Sequence, residues 1–167
     1  MNNDDIKFVN STLKYALSFN KAVETVARER KYLATINGFN LEATQKFIQM
    51  VEEKNLAQFY AIKDDEVIGW CDIIPKSQEG FKHTGVLGMG VIKEFRGRGI
   101  GKTLIIMALK HAKEVNGLEI VKLEVFESNM NALKLYEKMG FSVEGRKLKA
   151  RKLDGVYDNI ILMSKEF

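Results

Sequence analysis

The chain contains one cysteine, one proline and two histidines in 167 residues, and each scarcity removes a class of protein. A lone Cys71 cannot close an internal disulfide, and one Cys with two distant His supplies no metal-ligand cluster, so neither a disulfide-stapled nor a metal-built scaffold is expected. Cys71 falls in a strand-like stretch and reads as a small buried hydrophobe rather than a nucleophile. The longest unbroken aliphatic run, Leu104 to Leu109, is far short of the roughly 20 residues that cross a bilayer. The opening MNNDDIKF is acidic and has no apolar centre, which predicts no secretory signal. The expectation is a soluble, cytoplasmic protein with no membrane partner. With Pro75 as the only proline and no repeat, low-complexity tract or Pro/Gly/Ser-rich stretch, nothing reads as a linker. A single domain over residues 1–167 follows, and 46% hydrophobic residues suffice for one core.

Charge is equally uninformative in bulk. Lys and Arg number 26 against 22 Asp and Glu, a net +4, which is a mixed surface with a weak preference for anions. The densest cationic stretch, GRKLKARK, places Lys147, Lys149 and Arg151 on one face of a strand and Leu148 and Ala150 on the other. It reads as a solvated edge, and no nucleic-acid partner is expected.

Hydrophobic spacing marks the elements. Ile6–Asn10 reads as a short strand. Phe19, Val23, Val26, Ala27 and Leu33 recur at near-helical intervals, and Leu41, Phe47, Ile48 and Val51 mark a second helix after Gly38. AQFYAI and VIGWCDII flank the turn-forming KDDE as a hairpin, and HTGVLGMGV supplies another strand after a polar loop at 76–82. A helix from about Gly99 to Asn116, the strand IVKLEVF, a helix from about Asn129 to Met139 closed by Gly140, and strands near 142–152 and 156–165 complete the chain. The order is β-α-α-β-β-β-α-β-α-β-β, an α/β (α+β) fold with a mixed, mostly antiparallel sheet flanked by helices. The strand at Val86–Val91 and the strand at Ile120–Phe126, joined by a crossover helix, are expected to be parallel neighbours.

Between them lies GMGVIKEFRGRGIGKTL, with five glycines and four cations. Gly88 and Gly90 weaken a strand, so they suggest a bulge or a close approach to the backbone. Arg96, Gly97, Arg98, Gly99, Ile100 and Gly101 then open a helix whose first amides lack intrahelical partners and whose dipole is positive there. An anion suits that position, with no Cβ at Gly97, Gly99 and Gly101 and with Arg96, Arg98 and Lys102 as charged donors. A P-loop would need glycine at Arg96, and a Rossmann fingerprint would need glycine at Lys102, so neither reading fits.

The form R-x-x-G-x-G in RGRGIG does fit. Paired with N-x-x-A-x-x-x-Y-x-x-x-G-F at Asn129, Ala132, Tyr136, Gly140 and Phe141, it resembles the GNAT superfamily of acetyl-coenzyme A-dependent N-acetyltransferases. The resemblance runs from about Ile6 to the end of the chain and is strongest from Gly88 to Phe141. It implies an acyltransferase using acetyl-CoA, with the pantetheine arm along Met89, Gly90 and Val91. The pyrophosphate would lie against amides from Gly97 to Lys102, with Arg96 beginning the motif and Thr103 close by. Asn129 and Asn131 would reach the cofactor from the next helix, and Lys138 its adenosine phosphate.

By spacing alone Tyr136 is an ordinary core aromatic. The resemblance gives it the general-acid role toward the departing thiolate, which a phenol of ordinary pKa about 10 permits at neutral pH. The acceptor would be a primary amine, a small molecule such as an amino acid or polyamine, attacking the thioester directly. Asp72, His83, Glu124 and Glu29 are candidate bases, with a water chain as the other route. Tyr32, Tyr157 and Asp158 join Glu29 as expected liners of the acceptor site, in ARERKYL and LDGVYDNIILM. The tail is similar to G-x-Y-x-D-x-x-x-M of relatives acting on amino acids or protein N-termini, with Asn159 at the acidic position. His111 lies off its helix's apolar face and is expected to be exposed and inert. Two alternatives stay open, a protein or peptide N-terminal acetyltransferase and a non-catalytic acyl-CoA sensor, and a homodimer is allowed.

Overall fold

The computed structural model describes residues 5–167. Its elements run β1 (Lys7–Asn10), α1 (Ala16–Arg28), α2 (Leu41–Glu53), β2 (Ala57–Lys63), β3 (Glu66–Pro75), β4 (Thr84–Val91), α3 (Ile100–Glu114), β5 (Ile120–Phe126), α4 (Met130–Lys138), β6 (Ser142–Leu153) and β7 (Val156–Glu166). This is the expected order. The strands form one sheet, β1-β2-β3-β4-β5-β7-β6, antiparallel except for β4 beside β5. Among the described residues no helix is long and apolar enough to cross a membrane.

Period-two alternation sends the two sides of the central strands into two cores. Phe59, Cys71, Ile73 and Leu87 pack with Leu104, Ile105 and Ala108 of α3 and with Tyr136 of α4. Tyr60, Ile62 and Trp70 pack with Phe19, Val23 and Val26 of α1 and Ile48 of α2. Turn chemistry sets the β2–β3 register, because Asp64 and Asp65 both take positive φ, 51° and 60°, as a two-residue primed turn requires. Asn40 caps α2 by accepting from the Ala43 amide at 2.8 Å, and Asn129 caps α4 by accepting from Ala132 at 3.2 Å.

Three expectations change. The first helix stops at Arg28, before Leu33, and Arg30 enters the left-handed region at φ 59°. Residues 29–40 are therefore a loop that folds over the sheet. The alternation of Lys147, Lys149 and Arg151 does not hold, because β6 bulges between Lys147 and Arg151 with Lys149 at φ 50°. Each cation of that stretch has a protein neighbour: Arg146 pairs with Glu127, Lys147 with Glu124 and Arg151 with Asp158, while Lys149 and Lys152 lie over the Tyr157 ring. Finally, His111 is half-buried rather than exposed. Its Nε2 lies 2.9 Å from the Asn55 carbonyl and its ring stands edge-on to Phe59, so it fastens α3 to the end of α2.

Candidate active site

The functional geometry begins where the parallel pairing fails. β4 is paired to β5 only over Thr84–Val86 against Ile120–Lys122. β5 continues beside β7 as far as Phe126, while β4 continues beside β3 as far as Val91. The two strands part after Val86, and a wedge opens between them. Leu87 to Val91 thereby present a strand edge to the gap, with backbone groups that an extended ligand could pair.

A cavity of about 600 Å³ occupies this wedge and reaches the start of α3. Of the residues expected to hold a cofactor, it is lined by Met89, Gly90, Val91, Arg96, Gly97, Gly99, Ile100, Gly101, Lys102, Asn129 and Asn131. Arg98, Thr103 and Lys138 do not line it; Thr103 Oγ1 turns back to the Gly99 carbonyl at 3.3 Å, and Lys138 is exposed at the end of α4.

Unlike α2 and α4, α3 has no side-chain cap. Gly99 sits at the cap with φ 79°, and the first helical bond is Thr103 N–H to Gly99 C=O. The amides of Gly97, Gly99, Ile100, Gly101 and Lys102 donate to no protein acceptor among the described residues. A Cβ at Gly97 or Gly99 would meet nothing within 4 Å, and both residues have positive φ. Glycine is needed there for backbone conformation, and the result is a row of bare N–H groups facing open space at the positive end of a helix dipole.

The arginines are placed otherwise than expected. Arg96 donates through Nε to the Val91 carbonyl at 2.8 Å and through Nη1 to Glu29 at 2.9 Å, with the Tyr32 ring 4.6 Å from its guanidinium. Arg98 donates to the Glu94 carbonyl at 2.9 Å. Arg96 thus shares its charge with the Glu29 carboxylate, while Lys102 and the bare amides line the cavity beside it. Arg96 is a clamp between the glycine joint and the end of α1, and the same ion pair occupies Glu29.

Glycine also has two different reasons in β4. A Cβ at Gly90 would stand 2.3 Å from the Trp70 ring, whereas one at Gly88 would stand 3.3 Å from Asp72 Oδ1. Gly90 therefore makes room for a tryptophan, not for a ligand. Trp70 is 4% exposed and packed edge-on against Phe19, so an added Cβ would have to displace its ring. Gly90→Ala should lower stability by about 1–3 kcal/mol, the usual range for overpacking. An unchanged urea midpoint would show that Trp70 yields freely.

Tyr136 is buried in the core beside Phe141 and also lines the cavity. Its hydroxyl makes no hydrogen bond among the described residues, and burial pushes its pKa well above the ordinary value. It is a neutral O–H donor with an open valence. Asp72, on β3 directly opposite Gly88, is half-buried; burial pushes it up to about 7, and Gln58 acts in the other direction. Glu124 lines the cavity but is paired with Lys147 at 2.6 Å.

His83 is not on a strand. It occupies an exposed turn before Thr84, at the end of β4 remote from the wedge, where its carbonyl receives the amides of Glu119 and Ile120. Tyr157 and Asp158 do not line this cavity. Asp158 accepts from the Ser128 hydroxyl and pairs with Arg151, and Asn159 bridges Glu127 and the Lys149 amide.

Residues 21–141 match the Acetyltransferase (GNAT) family, and the chain belongs to it. Among curated proteins it is similar to an N-alpha-acetyltransferase of Sulfurisphaera tokodaii, 36% identical over 105 residues that cover 57% of this chain and 62% of the relative. It is also similar to an N-alpha-acetyltransferase of Saccharolobus solfataricus, 33% identical over 66% of this chain and 68% of that one. Among solved structures, an acetyltransferase from Salmonella typhimurium with its cofactor acetyl-CoA superposes at TM-score 0.90 over 97% of this chain and 94% of the other. At 12% identity that likeness concerns the fold.

Proposed function

We propose that this protein transfers the acetyl group of acetyl-CoA to the nitrogen of a small primary amine, with Tyr136 as general acid. The observation that carries the reading is the continuity of the wedge between β4 and β5 with the uncapped, glycine-built start of α3. An extended arm of amides ending in a diphosphate needs a free strand edge and then a row of bare N–H groups, and the chain supplies both in that sequence. Met89 to Val91 would hold the arm, the amides from Gly97 to Lys102 the diphosphate, and Lys102 adds charge. Acetyl-CoA supplies an activated thioester carbonyl. The β4 amides can donate to its oxygen as charge develops, and the Tyr136 hydroxyl, with no protein partner to give up, can donate to the sulfur.

A small acceptor is favoured over an extended peptide by a contact between two segments. Arg30 pairs with Asp154 of the β6–β7 turn at 2.9 Å, and Arg151 donates to the Arg30 carbonyl. The loop after α1 and the last hairpin thus touch across the face where the resemblance places the acceptor. A protein or peptide N-terminal acetyltransferase is the second reading, supported by the similarity to two N-alpha-acetyltransferases.

Acetyl-CoA at about 100 times its dissociation constant should stabilise the fold by roughly 2.7 kcal/mol, a rise of roughly 5–10 °C in melting temperature for a chain of this size. No shift at saturation would remove the cofactor site from this reading. A thiol-release screen over amines and N-terminal peptides then tests the transfer itself.

A further inference from the structure

A second cavity, about 570 Å³, is lined by residues of α1, α2 and the loop at 29–40 and by β3 and β4. It meets the first at Leu33, Ala34, Gly88 and Met89, which line both. Its walls are largely apolar and include the rings of Phe19, Phe39, Phe47 and Trp70, and among the described residues its one ionisable lining side chain is Asp72. Among the described residues no Lys, Arg or His lines it. Since Gly88 has no side chain, Asp72 Oδ1 leans over bare β4 backbone at the junction of the two cavities.

From this juxtaposition, and resting on the acetyl-transfer reading above, we infer that the acceptor is a primary amine on an apolar, aromatic or branched carbon skeleton with no neighbouring carboxylate. Asp72 binds its ammonium and removes a proton from it. A cation entering an aromatic chamber is attracted by ring faces and needs one carboxylate. An amino acid would also bring a carboxylate, which finds no cation here and loses its hydration. A polyamine would leave further ammonium groups against apolar walls with one acid to share. This acceptor differs from the amino acids or polyamines expected from the resemblance.

The step balances. The ammonium gives one proton to the Asp72 carboxylate, and its freed electron pair forms the C–N bond as the C–S bond breaks. The sulfur takes the Tyr136 proton, the nitrogen's second proton restores the phenol, and the Asp72 proton leaves to solvent. The groups facing Asp72 do not compete for this titration. β2 presents Gln58 and the Tyr60 phenol, which burial and Asp72 keep neutral. Cys71, its neighbour on β3, is also kept neutral by burial, β4 presents Gly88, and α1 and α2 present Phe19, Val23, Thr44 and Phe47.

The test uses the full chain and 2-phenylethylamine, an ammonium throughout the range used, a lysine-like amine having a pKa of about 10.4. Calorimetry without acetyl-CoA should show binding about tenfold or more tighter at pH 8 than at pH 5.5, as one charge-assisted contact implies. Asp72→Asn should abolish that difference. Phe39→Ala, at a position 58% exposed where folding is not at stake, should weaken binding several-fold at both pH values. With acetyl-CoA, kcat/KM should be at least about tenfold higher for phenylethylamine than for leucine, spermidine or an alanine-initiated peptide. Preference for any of those three, or a pH dependence that survives in Asp72→Asn, overturns the inference. If acetyl-CoA still raises the melting temperature, that failure leaves the transfer reading standing; if it does not, the transfer reading falls while amine binding is still measured.

Discussion

Tyr136→Phe is expected to reduce turnover by roughly 10²-fold or more while leaving acetyl-CoA affinity unchanged, the range set by removing a positioned general acid. The substitution is unusually clean. The hydroxyl has no hydrogen-bond partner among the described residues, so its loss leaves no orphaned group in the core, and the ring's contact with Phe141 is retained. Stability should be equal or slightly higher. A burial-raised phenol is a weak acid, so its proton moves only as charge gathers on sulfur. The deficit should therefore appear in kcat rather than KM. Single-turnover kinetics with phenylethylamine or the best amine of the screen would measure it. Unchanged turnover would return Tyr136 to an ordinary core position.

The second large effect is a gain. Asp72→Asn should make the protein more stable at neutral pH while disabling transfer. The sign follows from the two protonation states. An unfolded Asp72 titrates near 3.8 and the folded one at about 7. Well below 3.8 both states hold the proton and nothing is lost. Between pH 4 and 7 the unfolded chain releases it while the folded chain keeps it, so stability falls as pH rises, and above 7 the full loss persists. At about 1.4 kcal/mol per pH unit the upper limit is about 4 kcal/mol. Asn mimics the neutral form, so its advantage should be small at pH 4, grow to pH 7 and then level off. Urea unfolding at pH 4, 6 and 8 would show this. A variant no more stable than the parent at pH 8 would mean that Asp72 is not held in a desolvated site. A residue that lowers stability where it sits is the usual sign of a site shaped for chemistry.

Much of this was legible in the chain because it depends on local rules. Helical and strand periods marked the elements, and the glycines of RGRGIG marked a turn followed by a helix with bare amides. The spacing of Asn129, Ala132, Tyr136, Gly140 and Phe141 carried the family. These signals lie within a few residues of one another, where backbone conformation is set by neighbours in sequence. The misplacements have the opposite character. His83 was placed on a strand that starts one residue later. For Arg96, which does line the cavity, nothing local reveals that Glu29 also takes its guanidinium. The second cavity left no trace in sequence, since Phe19, Phe39, Phe47 and Trp70 read as ordinary apolar positions until α1, α2 and β3 are brought together.

The amino-acid sequence by itself determined the order of elements, the parallel pair flanking the glycine joint and the family. Tertiary structure alone decided that β4 and β5 part after Val86, that Gly90 accommodates Trp70 while Gly88 lies beside Asp72, and that one carboxylate stands in an aromatic chamber. The reason is that periodicity and turn chemistry are properties of a short segment. Register across strands, desolvation and the pairing of charges are properties of what long-range packing places opposite each side chain.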